Sequence, residues 1–182
     1  MKHKPPKGYN KVKTGTFTTA YIYEEKQEVI LLSRDNVKEC MSFGWFPECA
    51  LFPAIERLEL MDDHGFQMYK MPLYKTDRSP KSYLSTEAYR TYRELRKFYE
   101  GFTCKMDLWE AVEASKLSEE VKEALQGAYD ALCNYANAEN IRFEISPRNV
   151  AGSAEGSLIL LDCFFLRSSL TVARSSKNLL IL

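Results

Sequence analysis

Histidine is almost missing from this chain. His3 and His64 are the two histidines among 182 residues, one in the basic N-terminal stretch and one beside Gly65, so imidazole catalysis or a histidine metal site has little material. Charge of one sign is missing too. Lys plus Arg number 25 and Asp plus Glu number 25, which leaves no net field to steer the chain toward DNA or RNA, and nucleic acid is not an expected partner. Paired cysteines are absent: Cys40, Cys49, Cys104, Cys133 and Cys163 are odd in number, widely spaced and form no CxxC, the pattern of reduced thiols rather than a disulfide framework or zinc site. No apolar run approaches the roughly 18 residues of a membrane helix, and the opening MKHKPPKGYNKVK is basic without the apolar core of a signal peptide. A soluble cytoplasmic protein without a membrane partner is the expectation.

What is present suffices for a real core. Hydrophobic residues make up 45% and charged residues 27%, a globular balance for one domain or two small lobes. There is no internal repeat and no low-complexity tract. The pattern changes character once. After a tail at 1–9, residues 10–75 read as strands, with TFTTAYIYEE, QEVILLS and GFQMYKMPLY rich in Thr, Tyr, Val and Ile and separated by turn signals. A short helix fits DNVKECMSF. Residues 76–85 read as a hinge or linker, and from there to 166 the period lengthens. Ser85 can cap a helix with Tyr89, Tyr92, Leu95 and Phe98 on one face, ended by Gly101. A second helix is predicted from Ser118 to about Ala138, with Val121, Leu125, Tyr129, Leu132 and Ala136 as its core stripe. FEISPRNV then reads as a loop, because Pro147 disfavours helix before it. The turn AGSAEG and the run SLILLDCFFL read as a hairpin, and 167–182 as a C-terminal tail. Sheet first and helices second is an α+β order.

Chemistry concentrates in the loop and hairpin. Glu144, Asn149 and Asp162 supply a carboxylate, an amide and a second carboxylate. Asn149 and Asp162 are hard oxygen donors suited to Mg²⁺, and Glu144 would face a nucleophile in phosphoryl transfer. The plainer reading is a turn-forming asparagine and a strand-end aspartate.

The order of these parts resembles protein kinases, whose catalytic loop carries an Asp and, five residues later, an Asn, with the metal-binding Asp of DFG ending the next hairpin. KTGTFTTAYIY is similar to the glycine-rich loop with its two strands, EVILLS to the third strand, and FPAIERLELMDDHGFQMYKMPLY to the fourth and fifth strands. Among kinases, the early-gene serine/threonine kinases of podophages of enteric bacteria are the most similar, with a loop of the GxFxxAY type. The resemblance covers roughly residues 10 to 166. It implies a protein-kinase-like α+β fold with a five-stranded antiparallel N-lobe and a truncated helical C-lobe carrying a catalytic-loop hairpin. It further implies ATP and Mg²⁺ as cofactors, Glu144 at the position of the catalytic base, Gly15 and Lys13 at the nucleotide, Asn149 and Asp162 at nucleotide and metal, and a host protein in the bacterial cytoplasm as partner.

Departures from the kinase pattern are specific. Glu144 stands where Asp is usual; its extra methylene moves the carboxylate by about 1 Å, and such a misplacement can cost on the order of a hundredfold in rate. Arg142 replaces the loop histidine, and the DFG triplet becomes Asp162, Cys163, Phe164. Gly15 alone remains of the nucleotide-loop glycines. The third-strand lysine has no counterpart, since Leu31 or Leu32 stands near its position. Lys13 is a candidate substitute, with Arg34 and Lys38 further along, and Glu39 or Glu48 would be its acidic partner; each of these cations is otherwise expected to be an ordinary solvated charge. About 20 residues follow Asp162, which predicts a C-lobe without the usual peptide-docking helices. Two functions follow from the resemblance: ATP/Mg-dependent phosphoryl transfer to Ser or Thr of a host protein, or a catalytically impaired pseudokinase that binds and inhibits a host defence or transcription protein through aromatics such as Phe43, Trp45 and Phe46.

Overall fold

A computed structural model describes residues 7–15, 17–61, 66–98 and 105–169. The mixed α+β class expected from the sequence is observed. Two units form, one containing Ala54–Leu73 together with the chain up to Phe43, the other containing Gly44–Pro53 and Tyr74–Arg167. The stretch 44–53, read from the sequence as part of the sheet lobe, thus belongs with the second unit.

The first unit is built on an antiparallel sheet of β1 (Asn10–Thr14), β2 (Thr18–Tyr23), β3 (Glu28–Ser33), β4 (Glu56–Met61) and β5 (Gln67–Pro72). Its five strands lie in the order β1-β2-β3-β5-β4. The continuous apolar run of β3 makes it central, because successive residues of a strand point to opposite faces. Ile30 and Leu32 pack with Tyr21 on one face, joined by Tyr9, Leu58, Phe66 and Met68. Val29 and Leu31 pack with Tyr69 on the other, joined by Ile22, Ile55 and Met71. Both faces of β3 are therefore covered.

Helix α1 (Asn36–Ser42) follows β3, as the sequence predicts. The Asp35 carboxylate caps it by accepting from the Val37 amide at 3.0 Å, a contact of the kind worth about 1 kcal/mol. Val37, Cys40 and Met41, at three- and four-residue steps, form its buried stripe.

The second unit holds α2 (Thr86–Arg96), α3 (Lys105–Glu113), α4 (Glu119–Tyr135) and the short strands β6 (Ile141–Phe143), β7 (Val150–Gly152), β8 (Leu158–Leu160) and β9 (Phe164–Leu166). Ser85 and Ser118 are the N-caps of α2 and α4, accepting from Ala88 and Val121 respectively. Tyr92, Leu95 and Phe98 of the predicted α2 face are buried, as are Leu125, Tyr129 and Leu132 of the α4 stripe. Gly101 lies outside the described residues. Helix α4 ends three residues earlier than the period suggests: Ala136 is extended at φ −140°, ψ 156°, and the Asn137 side chain caps a separate 3-10 turn over Ala138–Asn140. Helix α3 was not anticipated from the sequence.

The hinge segment is fastened to the second unit rather than loose within it. Lys75 exchanges two backbone hydrogen bonds with Gly152, at 2.9 and 2.8 Å, and its ammonium donates to the Ala154 carbonyl at 2.8 Å. Asp77 then accepts from the Arg78 amide and the Ser82 hydroxyl, contacts that hold its carboxyl below the usual range.

Candidate active site

Two antiparallel ladders frame the loop. Phe143 lies opposite Phe164 at the end of β6–β9, and Val150 lies opposite Leu160 at the start of β7–β8. The run SLILLDCFFL is therefore two strands with Asp162 in the turn between them, not one. Residues 144–149 carry the chain from the first ladder to the second, and 161–163 carry it back. Ser146 to Asn149 close a turn, with the Asn149 amide donating to the Ser146 carbonyl at 3.0 Å and Pro147 at the second position, where its fixed φ fits.

Main-chain hydrogen bonds tie the outgoing and returning segments. The Glu144 amide donates to the Cys163 carbonyl at 2.8 Å. The Asn149 carbonyl accepts from both the Leu161 amide at 2.8 Å and the Asp162 amide at 3.3 Å. Three positions distant in sequence thus share one small region of backbone. Their neighbours fix which way the region faces: Ile145, Val150, Leu160, Cys163 and Phe164 are all buried, whereas Glu144 and Asn149 are half-buried and Asp162 is exposed. The apolar residues anchor the turns and leave the polar ones toward the surface. Phe164 is the main anchor, with its ring 5.2 Å from Phe143, 6.3 Å from Phe46 and 6.4 Å from Tyr129.

Among the described residues no group of three or more His, Cys, Asp and Glu side chains gathers as a metal cage. Arg142 donates to the carbonyls of Glu139 and Ile141 at 2.7 and 2.8 Å; it braces the chain entering β6.

In the first unit Gly15 is exposed and its amide donates to the Thr18 carbonyl at 2.7 Å. A Cβ at Gly15 would meet only that carbonyl oxygen, at 3.5 Å, so packing does not demand glycine there. Lys13 pairs with Ala20 beside a register shift in β1–β2; its side chain lies outside the described part of the structure. The two acidic candidates separate. Glu39 stands on α1 with its carboxylate 3.5 Å from the Arg57 guanidinium of β4, while Glu48 is an exposed residue of the second unit.

Three expectations about single residues divide. Arg34 is exposed, with its guanidinium 4.2 Å over the Phe66 ring, in keeping with a surface cation. Lys38 is not solvated: it is 6% exposed, and its ammonium is 3.7 Å from Asp35, one helical turn before it. Of the aromatic trio, Phe43 and Trp45 are exposed at 49% and 47%. Phe46 is buried, since its ring packs 5.0 Å from Phe52.

A cavity of about 450 Å³ opens on the first unit, lined among others by Glu28, Ile55, Glu56, Lys70 and Met71. Two of these lining residues, Lys70 and Glu56, are cross-strand partners whose ammonium and carboxylate lie 2.7 Å apart. None of Gly15, Glu144, Asn149 or Asp162 lines this cavity. Set beside known proteins, the chain matches no family model and no curated sequence.

Proposed function

We propose that the chain is a kinase-like protein that binds ATP with Mg²⁺ and transfers the γ-phosphoryl group to a Ser or Thr of a host protein, as a phage-encoded factor acting in the bacterial cytoplasm. The observation that carries this reading is the Asn149 carbonyl accepting from Leu161 and Asp162, which registers the amide and the carboxylate with each other. The strand order β1-β2-β3-β5-β4 with a helix between β3 and β4, and the paired ladders β6–β9 and β7–β8, are in the order a kinase would have.

In this reading Asn149 and Asp162 would hold Mg²⁺, which would offset charge on the phosphates. Glu144 would take the proton of the attacking hydroxyl from a backbone fixed by its bond to Cys163. The exposed Gly15 turn and Lys13 would meet the nucleotide in the first unit. Phosphoryl transfer needs little covalent chemistry from the protein, so positioning dominates, and the longer Glu144 side chain predicts a slow enzyme.

One observation favours a second reading, an impaired kinase fold acting by binding a host protein. Phe164 stands at the position of the DFG glycine and is locked among three rings, which removes the mobility that glycine would give the segment after Asp162. A thermal-shift titration separates the two. ATP with Mg²⁺ raises the melting temperature if the nucleotide reading holds, because a ligand of the folded state must stabilise it; no shift at millimolar nucleotide overturns it. Radiolabel transfer to self or host lysate, lost in Asp162→Ala, then distinguishes enzyme from binder.

A further inference from the structure

Strand β5 outruns its neighbour β4. The ladder between them ends at the pair of Glu56 and Lys70, yet β5 continues beside β3, where Met71 pairs with Val29 and Pro72 with Glu28. The cavity of about 450 Å³ lies at this unmatched end, with Ile55, Met71 and Pro72 in its apolar wall. Its volume is in the range of small-molecule sites and far above the voids that ordinary packing leaves. Ile55 and Met71 also pack on the cluster of Val29, Leu31 and Tyr69, so the wall is anchored in the sheet.

Three ionisable side chains line the cavity: Glu28, Glu56 and Lys70. The Lys70 ammonium lies 2.7 Å from the Glu56 carboxylate, so these two charges offset each other. Glu28 is left over. It is half-buried, and one of its oxygens accepts from the neutral Tyr9 hydroxyl at 3.1 Å; its other oxygen has no hydrogen-bond partner among the described residues. Beside an apolar wall the effective dielectric is lower than in water, so a counter-charge is held more strongly, and a charged N–H donor bonds a carboxylate more strongly than a neutral one. An anion would meet two carboxylates and an ammonium already paired. We propose that the cavity binds a small organic cation, whose ammonium group meets the second oxygen of Glu28 and whose aryl or alkyl body lies on Ile55, Met71 and Pro72. Glu144, Asn149 and Asp162 take no part, so this site stands or falls separately from the nucleotide reading.

The test titrates the full chain with phenethylamine, its neutral counterpart phenethyl alcohol and the anion hydrocinnamate, followed by calorimetry and by backbone amide spectra. The amine should bind about tenfold more tightly than the alcohol, hydrocinnamate should bind most weakly, and the amide shifts should centre on Glu28, Lys70 and Met71. Glu28→Gln keeps an acceptor for Tyr9 and removes the charge, so the amine should fall to the level of the alcohol. Lys70→Met leaves Glu56 without its partner and the lining more negative, so the affinity for the amine should rise severalfold. Opposite signs from two substitutions in one lining are not what general loosening of the unit produces. An amine-to-alcohol ratio unchanged in Glu28→Gln overturns the proposal, as does a preference for hydrocinnamate, a set of shifts centred elsewhere, or no response to the amine at millimolar concentration. A fourth probe, a blocked Ala-Arg-Ala tripeptide, separates the other source of such a cation: binding of the peptide without binding of the amine would assign the cavity to a side chain of a partner protein and overturn the small-ligand assignment.

Discussion

Replacing Phe164 by alanine should loosen the second unit where the candidate site is attached. The ring is 1% exposed and touches Phe143, Phe46 and Tyr129, so its removal leaves a cavity lined by three aromatic faces. Phe to Ala in a core costs about 3–5 kcal/mol. A loss of about 4 kcal/mol is expected, which for a chain of this size lowers the melting temperature by roughly 10 °C. Trp45 and Trp109 both belong to the second unit, and Trp109 packs edge-on against Tyr129 at 5.2 Å. Tryptophan fluorescence in a urea titration therefore reports this unit. The midpoint should fall with an unchanged slope, and Phe164→Leu should recover part of the loss. A loss below about 1 kcal/mol would refute the view that Phe164 anchors the β6–β9 ladder.

Gly127→Ala in α4 should destabilise, although helix propensity alone predicts a gain of about 1 kcal/mol, because the new Cβ would lie 2.7 Å from Cγ of Pro47; adding Pro47→Ala should return the gain in the same urea titration. Gly152→Ala should cost about 1–3 kcal/mol, since its Cβ would meet the Tyr83 carbonyl at 3.0 Å and the Tyr83 ring at 2.9 Å, and a melting temperature equal to that of the unaltered chain would contradict the close approach. Burial pushes the hydroxyls of Tyr69, Tyr83 and Tyr129 up to about 12 and the Cys40 thiol up to about 11. Folded values above unfolded ones mean that this stability is complete below about pH 9 and drains as pH rises through 11 and 12; a melting temperature flat to pH 12 would count against it. Alkylation at pH 8 followed by peptide mapping should label the half-buried Cys49 and Cys133 in the folded protein, and the buried Cys40 and Cys163 only on unfolding.

Much of the fold was legible because its signals are local. Ser85 and Ser118 stand directly before periodic apolar runs, and both cap helices. The alternation that places Val29 and Leu31 on one face of β3 and Ile30 and Leu32 on the other is visible only as a greasy run, which marks a strand covered on both sides. Helix α3 escaped notice because KMDLWEAVE scatters its apolar residues without a sustained stripe. In the irregular stretch GWFPEC no period says which aromatic turns inward, so Phe46 and Trp45 could not be told apart. The turn at Asp162 was hidden by apolar residues on both sides of it, and only the pairing of β9 with β6 separates the two strands. Lys38 was missed for a different reason: charge argues for solvent, and the signal that it stays buried is its spacing of three residues from Asp35.

The bonds that hold the candidate loop to the hairpin are made by main-chain atoms: the Asn149 carbonyl, the amides of Leu161 and Asp162, and the pair between Glu144 and Cys163. Every amino acid but proline brings those atoms to its position. These particular bonds therefore persist whichever non-proline residues stand at 144, 149 and 162. Chemistry and shape can drift independently here, so a scaffold of this kind can outlive the reaction it once served.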